Sequence, residues 1–255
     1  MDDAILRYQR MALSKKTHFV FAVLLISATS NVYALEPITV KLRFHIVTEL
    51  AMHKRDLLMD SWVTPVDIRH KLLEEINTIW RPAGINFIVE DVIYSPALRP
   101  QNRQKLVQNI VNAQRDAQGK ADAKRIKSLN RLIDWQNHRQ DTINIYLVPY
   151  LGEKSNGNAS VKNNRIFVGQ WSDKHSKARI SPEKRQLVEP RPMHKGSIAR
   201  TIAHEIGHIF RLKHPNKEYQ REFNLLMGGR KSGYVLTQQQ IAIARDAAKN
   251  FVRKR

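Results

Sequence analysis

The stretch HEIGHIFRLKH, His204–His214, decides how this chain reads. His204 and His208 stand four residues apart, so on a helix they project to the same side and can grip one metal ion. Zinc takes nitrogen or oxygen ligands at about 2.0–2.2 Å in a tetrahedral arrangement. His214 is the first candidate for a third ligand. On a continuing helix, however, it would lie about 9 Å further along the axis than His208 and face away. The chain must therefore bend between Ile209 and His214. The bend calls for a left-handed backbone near position 211, where glycine is the easy choice. Arg211 stands there instead. A left-handed non-glycine residue costs roughly 1–2 kcal/mol, against on the order of 10 kcal/mol from coordination in structural zinc sites. Arg211 alone does not forbid the bend: it can adopt the turn, or Leu212-Lys213 can take the bend another way. Glu218 and Glu222 are the rival third ligands.

Glu205, beside His204, is placed to take a proton from a water on such an ion, whose pKa the metal lowers to about 7. Three protein ligands and an open fourth position mark a catalytic rather than a structural site. His204 and His208 are thus the candidate metal pair and Glu205 the candidate general base, with the third ligand open between His214 and Glu218 or Glu222. The plainer alternative is a helix that merely carries histidines. His45, His53, His70, His138, His175 and His194 lack ligand spacing and read as structural or exposed.

Outward from the motif, Ser197 is a good N-cap, and Ile198, Ile202, Ile206 and Ile209 form one apolar stripe of a helix. ITVKLRFHIV, Ile38–Val47, alternates as a half-buried strand does. Pro65 opens a helix that stops at Arg81-Pro82, with Gly84 just beyond. A second strand follows over Ile85–Tyr94. Residues 98–140 are basic and rich in glutamine, and suggest two helices broken near Gly119. INIYLVPYL, Ile143–Leu151, reads as a buried strand. GNASVKNNRIFVG makes two short extended pieces about a turn at Asn163-Asn164. Residues 172–196 read as loop. A last helix runs from Thr237, its cap, to about Phe251.

The chain has 255 residues, 42% of them hydrophobic, enough for a proper core. It has no cysteine, which excludes disulfides, thiol nucleophiles and cysteine ligands. Residues 1–34 read as a signal peptide, with translation starting at Met1 or Met11. Lys15 and Lys16 lead a short apolar run, and Val32 and Ala34 mark cleavage after Ala34. The run is well short of the roughly 20 residues of a spanning helix, so no stable membrane span is expected after processing. An exported chain without cysteine fits a bacterial periplasm or the external medium. The full chain carries 43 basic and 23 acidic side chains. Residues 1–34 hold four and two of these, so the remainder is +18. Such a field steers toward anionic partners. An anionic envelope polymer and acidic peptides are the candidates, nucleic acid less so, and a generic basic surface that serves solubility is the plainer alternative.

HEIGHIFRLKH resembles the metzincin zinc-peptidase signature HExxHxxGxxH, with Arg211 in place of its glycine. Met227, in NLLMGG, resembles the turn methionine that underlies the metal in that family. A buried methionine unrelated to metal is the alternative. The resemblance implies an α+β fold over residues 35–255, a single metzincin-like zincin domain. It would have a twisted mixed sheet, an active-site helix, a C-terminal helix and a helical insertion at about 98–140. It implies one catalytic zinc on His204, His208 and His214, with Glu205 as base and Met227 as floor. A peptide or protein substrate would lie along the strand around Ala159–Val161. Latency through a pro-segment cysteine is excluded. The implied function is an exported zinc endopeptidase. The alternatives are a metal-dependent amidase on cell-wall peptides and a non-catalytic module of this fold that binds anionic polymers.

Overall fold

The alternating residues of ITVKLRFHIVT form the long strand β1, Ile38–Thr48, and in a computed structural model it lies inside the sheet, with strands on both sides. The structure describes residues 36–54, 57–113, 123–152, 156–171, 197–215, 224–228 and 233–253. The leader reading and the 172–196 loop lie outside them, as do Gly119, Glu218 and Glu222.

After a short antiparallel pair, β2 (Met52–Lys54) and β3 (Leu57–Met59), a helical run over residues 65–80, α1, packs on the sheet. Pro65 fits its first turn because its missing N–H needs no partner there. Thr64 and Asp67 form a reciprocal cap: the Asp67 amide donates to Thr64 Oγ1 at 3.2 Å, and the Thr64 amide to Asp67 Oδ2 at 3.1 Å. Ile68–Leu72 winds wider, as a π segment. Gly84, at φ 59°, ends the run after Arg81-Pro82.

β4, Ile85–Pro96, runs parallel to β1 with one irregularity. Leu42 faces Val89 and Arg43 faces Asp91, so Glu90 is the extra residue. Glu90 accepts from Lys41 at 3.3 Å and from Arg43 at 3.1 Å, which uses the bulge as an ion-pair anchor. The basic region supplies α2 (Arg103–Val111) and α3 (Ala123–Leu132). β5 (Ile143–Val148) follows, then β6 (Gly157–Ser160), a turn with Asn164 left-handed at φ 46°, and β7 (Arg165–Gly169). Two helices close the chain, α4 (Ile198–Ile209) and α5 (Gln238–Arg253).

The sheet order is β4-β1-β5-β7-β6, parallel except for β6, which is antiparallel to β7 and outermost. The mixed sheet, both closing helices and the helical pair between β4 and β5 match the α+β expectation. One sheet face buries Leu42, Phe44, Ile145, Leu147 and Ile166 against α1, α4 and α5. The other buries Tyr146, Val148 and Phe167 against Leu106, Ile110, Leu129 and Leu132 of α2 and α3. The basic region therefore covers the face of the sheet that α4 does not. That is why β5 is buried at every position and apolar at all of them but Asn144. Among the described residues, no helix is long and apolar enough to cross a membrane.

Candidate metal centre

Ser197 caps α4 by accepting from the Arg200 amide at 2.9 Å, and the isoleucine stripe buries the helix against the sheet. The helix then needs an end. Arg211 takes the left-handed conformation, φ 65°. Its amide donates to His208 O at 2.9 Å, and the Leu212 amide donates to Gly207 O at 2.8 Å. Those two bonds are the pair that defines a Schellman ending. Leu212, only 3% exposed, fixes the turn by packing under it. The turn returns the chain over the helix end and carries His214 to the first two histidines.

The three imidazoles form a near-equilateral cluster. Ring centroids lie 4.9 Å apart for His204–His208, 4.8 Å for His208–His214 and 5.1 Å for His204–His214. One nitrogen from each ring lies within 4.8 Å of the others, and this is the one such metal-ligand cluster among the described residues. His204 Nδ1 donates to Leu226 O at 2.7 Å, and His208 Nδ1 donates to Leu212 O at 2.9 Å. A carbonyl only accepts, so each Nδ1 carries its proton and each Nε2 keeps a bare lone pair. His204 Nε2 lies 3.0 Å from His214 Nε2. A tetrahedral site with metal–nitrogen bonds near 2.0–2.1 Å has ligand edges of about 3.3–3.4 Å, so the spacing is close to that of a shared ion. Burial also holds the His204 imidazole down, to about 3, and the charges of His208, His214 and Arg200 add to this. Burial lowers His208 as well. Both stay neutral at pH 7, as metal ligation requires. Neutral rings, bare Nε2 atoms and carbonyl-locked tautomers suit zinc.

Glu205 is buried, 7% exposed, and turns toward the outer strand. A Cβ at Gly157 of β6 would lie 2.5 Å from Glu205 Oε1. The carboxylate therefore fills the space that a side chain at Gly157 would need. Met227 is fully buried in the loop after the motif. A Cβ at Gly207 would lie 2.5 Å from its sulfur. A helix-interior glycine costs about 1 kcal/mol relative to alanine, and here it lets Met227 seat against the turn of α4 that bears both ligands. The loop base is tied by Leu226 N to Val235 O at 2.8 Å and by Val235 N to Asn224 O at 2.9 Å.

The structure thus brings His204, His208 and His214 together, with Glu205 between the two helical ligands and Met227 packed against Gly207 of the same helix. The strand expected around Ala159–Val161 is Gly157–Ser160, and Val161 begins the turn. Gly157, Gly207 and the carbonyls of Leu212 and Leu226 went unread in the sequence. Of these, only Gly207 left a signal, as a glycine inside a strong helix.

No protein-family model matches the chain, and no curated protein matches it. Among solved structures, it is similar to an archaemetzincin from Methanopyrus kandleri at 12% identity, over 83% of this chain and 96% of that one, with a TM-score of 0.43. It is also similar to a chain in a chaperone–substrate complex at 11% identity, over 86% of this chain and 36% of that one, with a TM-score of 0.41. These are loose matches at low identity, and the chemistry of the centre rests on its own geometry.

Proposed function

We propose that the protein is a zinc-dependent endopeptidase, exported to act on peptide or protein substrates. The observation that carries this is the set of three converging imidazoles, two of them with Nε2 left bare by carbonyl bonds, beside a buried glutamate. His204, His208 and His214 would hold the ion, and Met227 would support His204 and His208 from beneath. Zinc held there would supply Lewis acidity and would bring a water within reach of ionisation at neutral pH. Glu205 accepts the proton of the attacking water at a carboxylate oxygen and passes it to the leaving amine nitrogen. β6, the outer strand, offers a main chain alongside which an extended peptide can pair. An anionic envelope polymer drawn by the net charge is a partner consistent with this location.

Zinc content of the purified full chain, beside His214→Ala and Glu205→Gln, tests the reading. The parent is expected to hold one zinc per chain and to cleave an unstructured protein substrate. His214→Ala should lose most of the metal. Glu205→Gln should keep the metal and lose activity by about 10²- to 10⁴-fold, the usual worth of a general base. Zinc retained equally in His214→Ala would move the third ligand elsewhere. No zinc in the parent after reloading would sink the proposal.

A further inference from the structure

Arg200 is an odd residue for its place. It sits in the first turn of α4, where the helix dipole disfavours a cation, and it is only 6% exposed. A buried guanidinium is costly unless its donors find acceptors. Arg200 Nε donates to Gly233 O at 2.6 Å, and Nη2 donates to Leu226 O at 3.3 Å. Glu75, which accepts from Ser197 Oγ at 2.6 Å, supplies an opposing charge. Leu226 directly precedes Met227 in the chain, and Gly233 follows it by six residues.

The Leu226 carbonyl is shared. The same oxygen accepts from His204 Nδ1 at 2.7 Å. Arg200 and His204 are one helical turn apart, so they line up on the same face. An acceptor gripped by a planar, permanently charged donor is fixed in direction, and charge-assisted bonds are the stronger kind. The arginine thus ties the loop to the helix at the point where the loop orients the first histidine.

We infer that Arg200 is a positioning residue of the metal centre: by holding the Leu226 and Gly233 carbonyls it fixes the acceptor that sets the His204 tautomer and ring direction. This rests on the zinc reading above. Losing a group that orients a metal ligand typically weakens metal binding about 10- to 100-fold.

The test is zinc affinity of the full chain by competition with a chelator, with thermal unfolding as the measure of fold. Arg200→Gln is expected to bind zinc about 10- to 100-fold more weakly. Arg200→Lys, a single-point donor in place of a planar fork, should fall between. Arg245→Gln is the control, because Arg245 also holds main-chain carbonyls, Ala83 O at 2.7 Å and Glu36 O at 3.0 Å, away from the centre. It should shift the unfolding temperature and leave zinc affinity alone. A folded Arg200→Gln with parental zinc affinity overturns the inference and leaves the zinc reading standing. A parent that takes up no zinc overturns both. If both Arg200 variants fail to fold while Arg245→Gln folds, Arg200 serves the stability of the domain, and the inference falls.

Discussion

Histidines gather on both sides of the sheet, and whether their ring nitrogens converge tells the two groups apart. At the end of α4, main-chain carbonyls take the Nδ1 protons of His204 and His208 and leave each Nε2 bare. On the opposite face, His45 is fully buried with both nitrogens engaged by side chains, Ser95 Oγ at 3.3 Å and Asn144 Oδ1 at 3.3 Å. It stacks on Tyr146 at 4.1 Å, and His138 meets the Tyr146 hydroxyl at 3.2 Å. Neutral histidines, wholly or partly buried, therefore occur in both places. Only the first pair presents lone pairs to a common point. Burial and depressed basicity do not make a ligand; nitrogens that converge on one point do.

That contrast can be broken by experiment. The largest expected effect is on the α4 side. Gly157→Ala puts a methyl group where Glu205 Oε1 now lies. Displacing a catalytic group by about an ångström costs up to about 100-fold in turnover. Zinc content should stay at the parental level, so turnover and metal analysis of the same preparation decide the point. Unchanged turnover would mean that Glu205 is not held by its fit to Gly157.

The next effect belongs to the other face and to stability alone. Burial, with the charges of Arg43 and His138 adding to it, holds His45 down to about 4; its Asn144 bond and Asp91 act the other way. The unfolded chain thus binds a proton below about pH 6.5 that the folded chain refuses until about pH 4. The contribution is fully present above pH 6.5 and is lost as pH falls through that window. It is worth on the order of 3 kcal/mol. Denaturant unfolding of the metal-free chain should show stability falling from pH 6.5 to 4, and His45→Leu should flatten part of that fall. An equally steep profile in the variant would shift the effect to other groups, among them His138, which burial also lowers.

The smallest effect returns to the turn. Arg211→Gly relieves a left-handed non-glycine residue but gives the unfolded chain more freedom, so a gain of about 1 kcal/mol or less is expected. Arg211 is exposed, and its replacement removes no buried contact. A lower unfolding temperature in the variant would show that the arginine side chain holds the turn.

Much of this architecture could be read from local pattern. The alternation of Ile38, Val40, Leu42 and Phe44 located β1, and the 3.6-residue rhythm of Ile198, Ile202, Ile206 and Ile209 located α4. The need for a bend between Ile209 and His214 followed from helix geometry; its place at 211 was suggested by the resemblance. What escaped was set at a distance. Residues 98–140 read as an insertion because their apolar positions pack on Tyr146 and Phe167, far along the chain. The extra residue Glu90 shows only when β4 lies beside β1. Gly157 and Arg200 looked ordinary because the atoms that give them meaning, Glu205 Oε1 and the Leu226 carbonyl, are brought to them by folding.

The acceptors on His204 and His208 are both peptide oxygens, and every residue type carries one. No substitution at position 212 or 226 can delete them, provided the chain keeps its path. Orientation of the ligands is thus written in the course of the backbone, and sequence drift can erase most of the surrounding letters while the histidines go on facing one another.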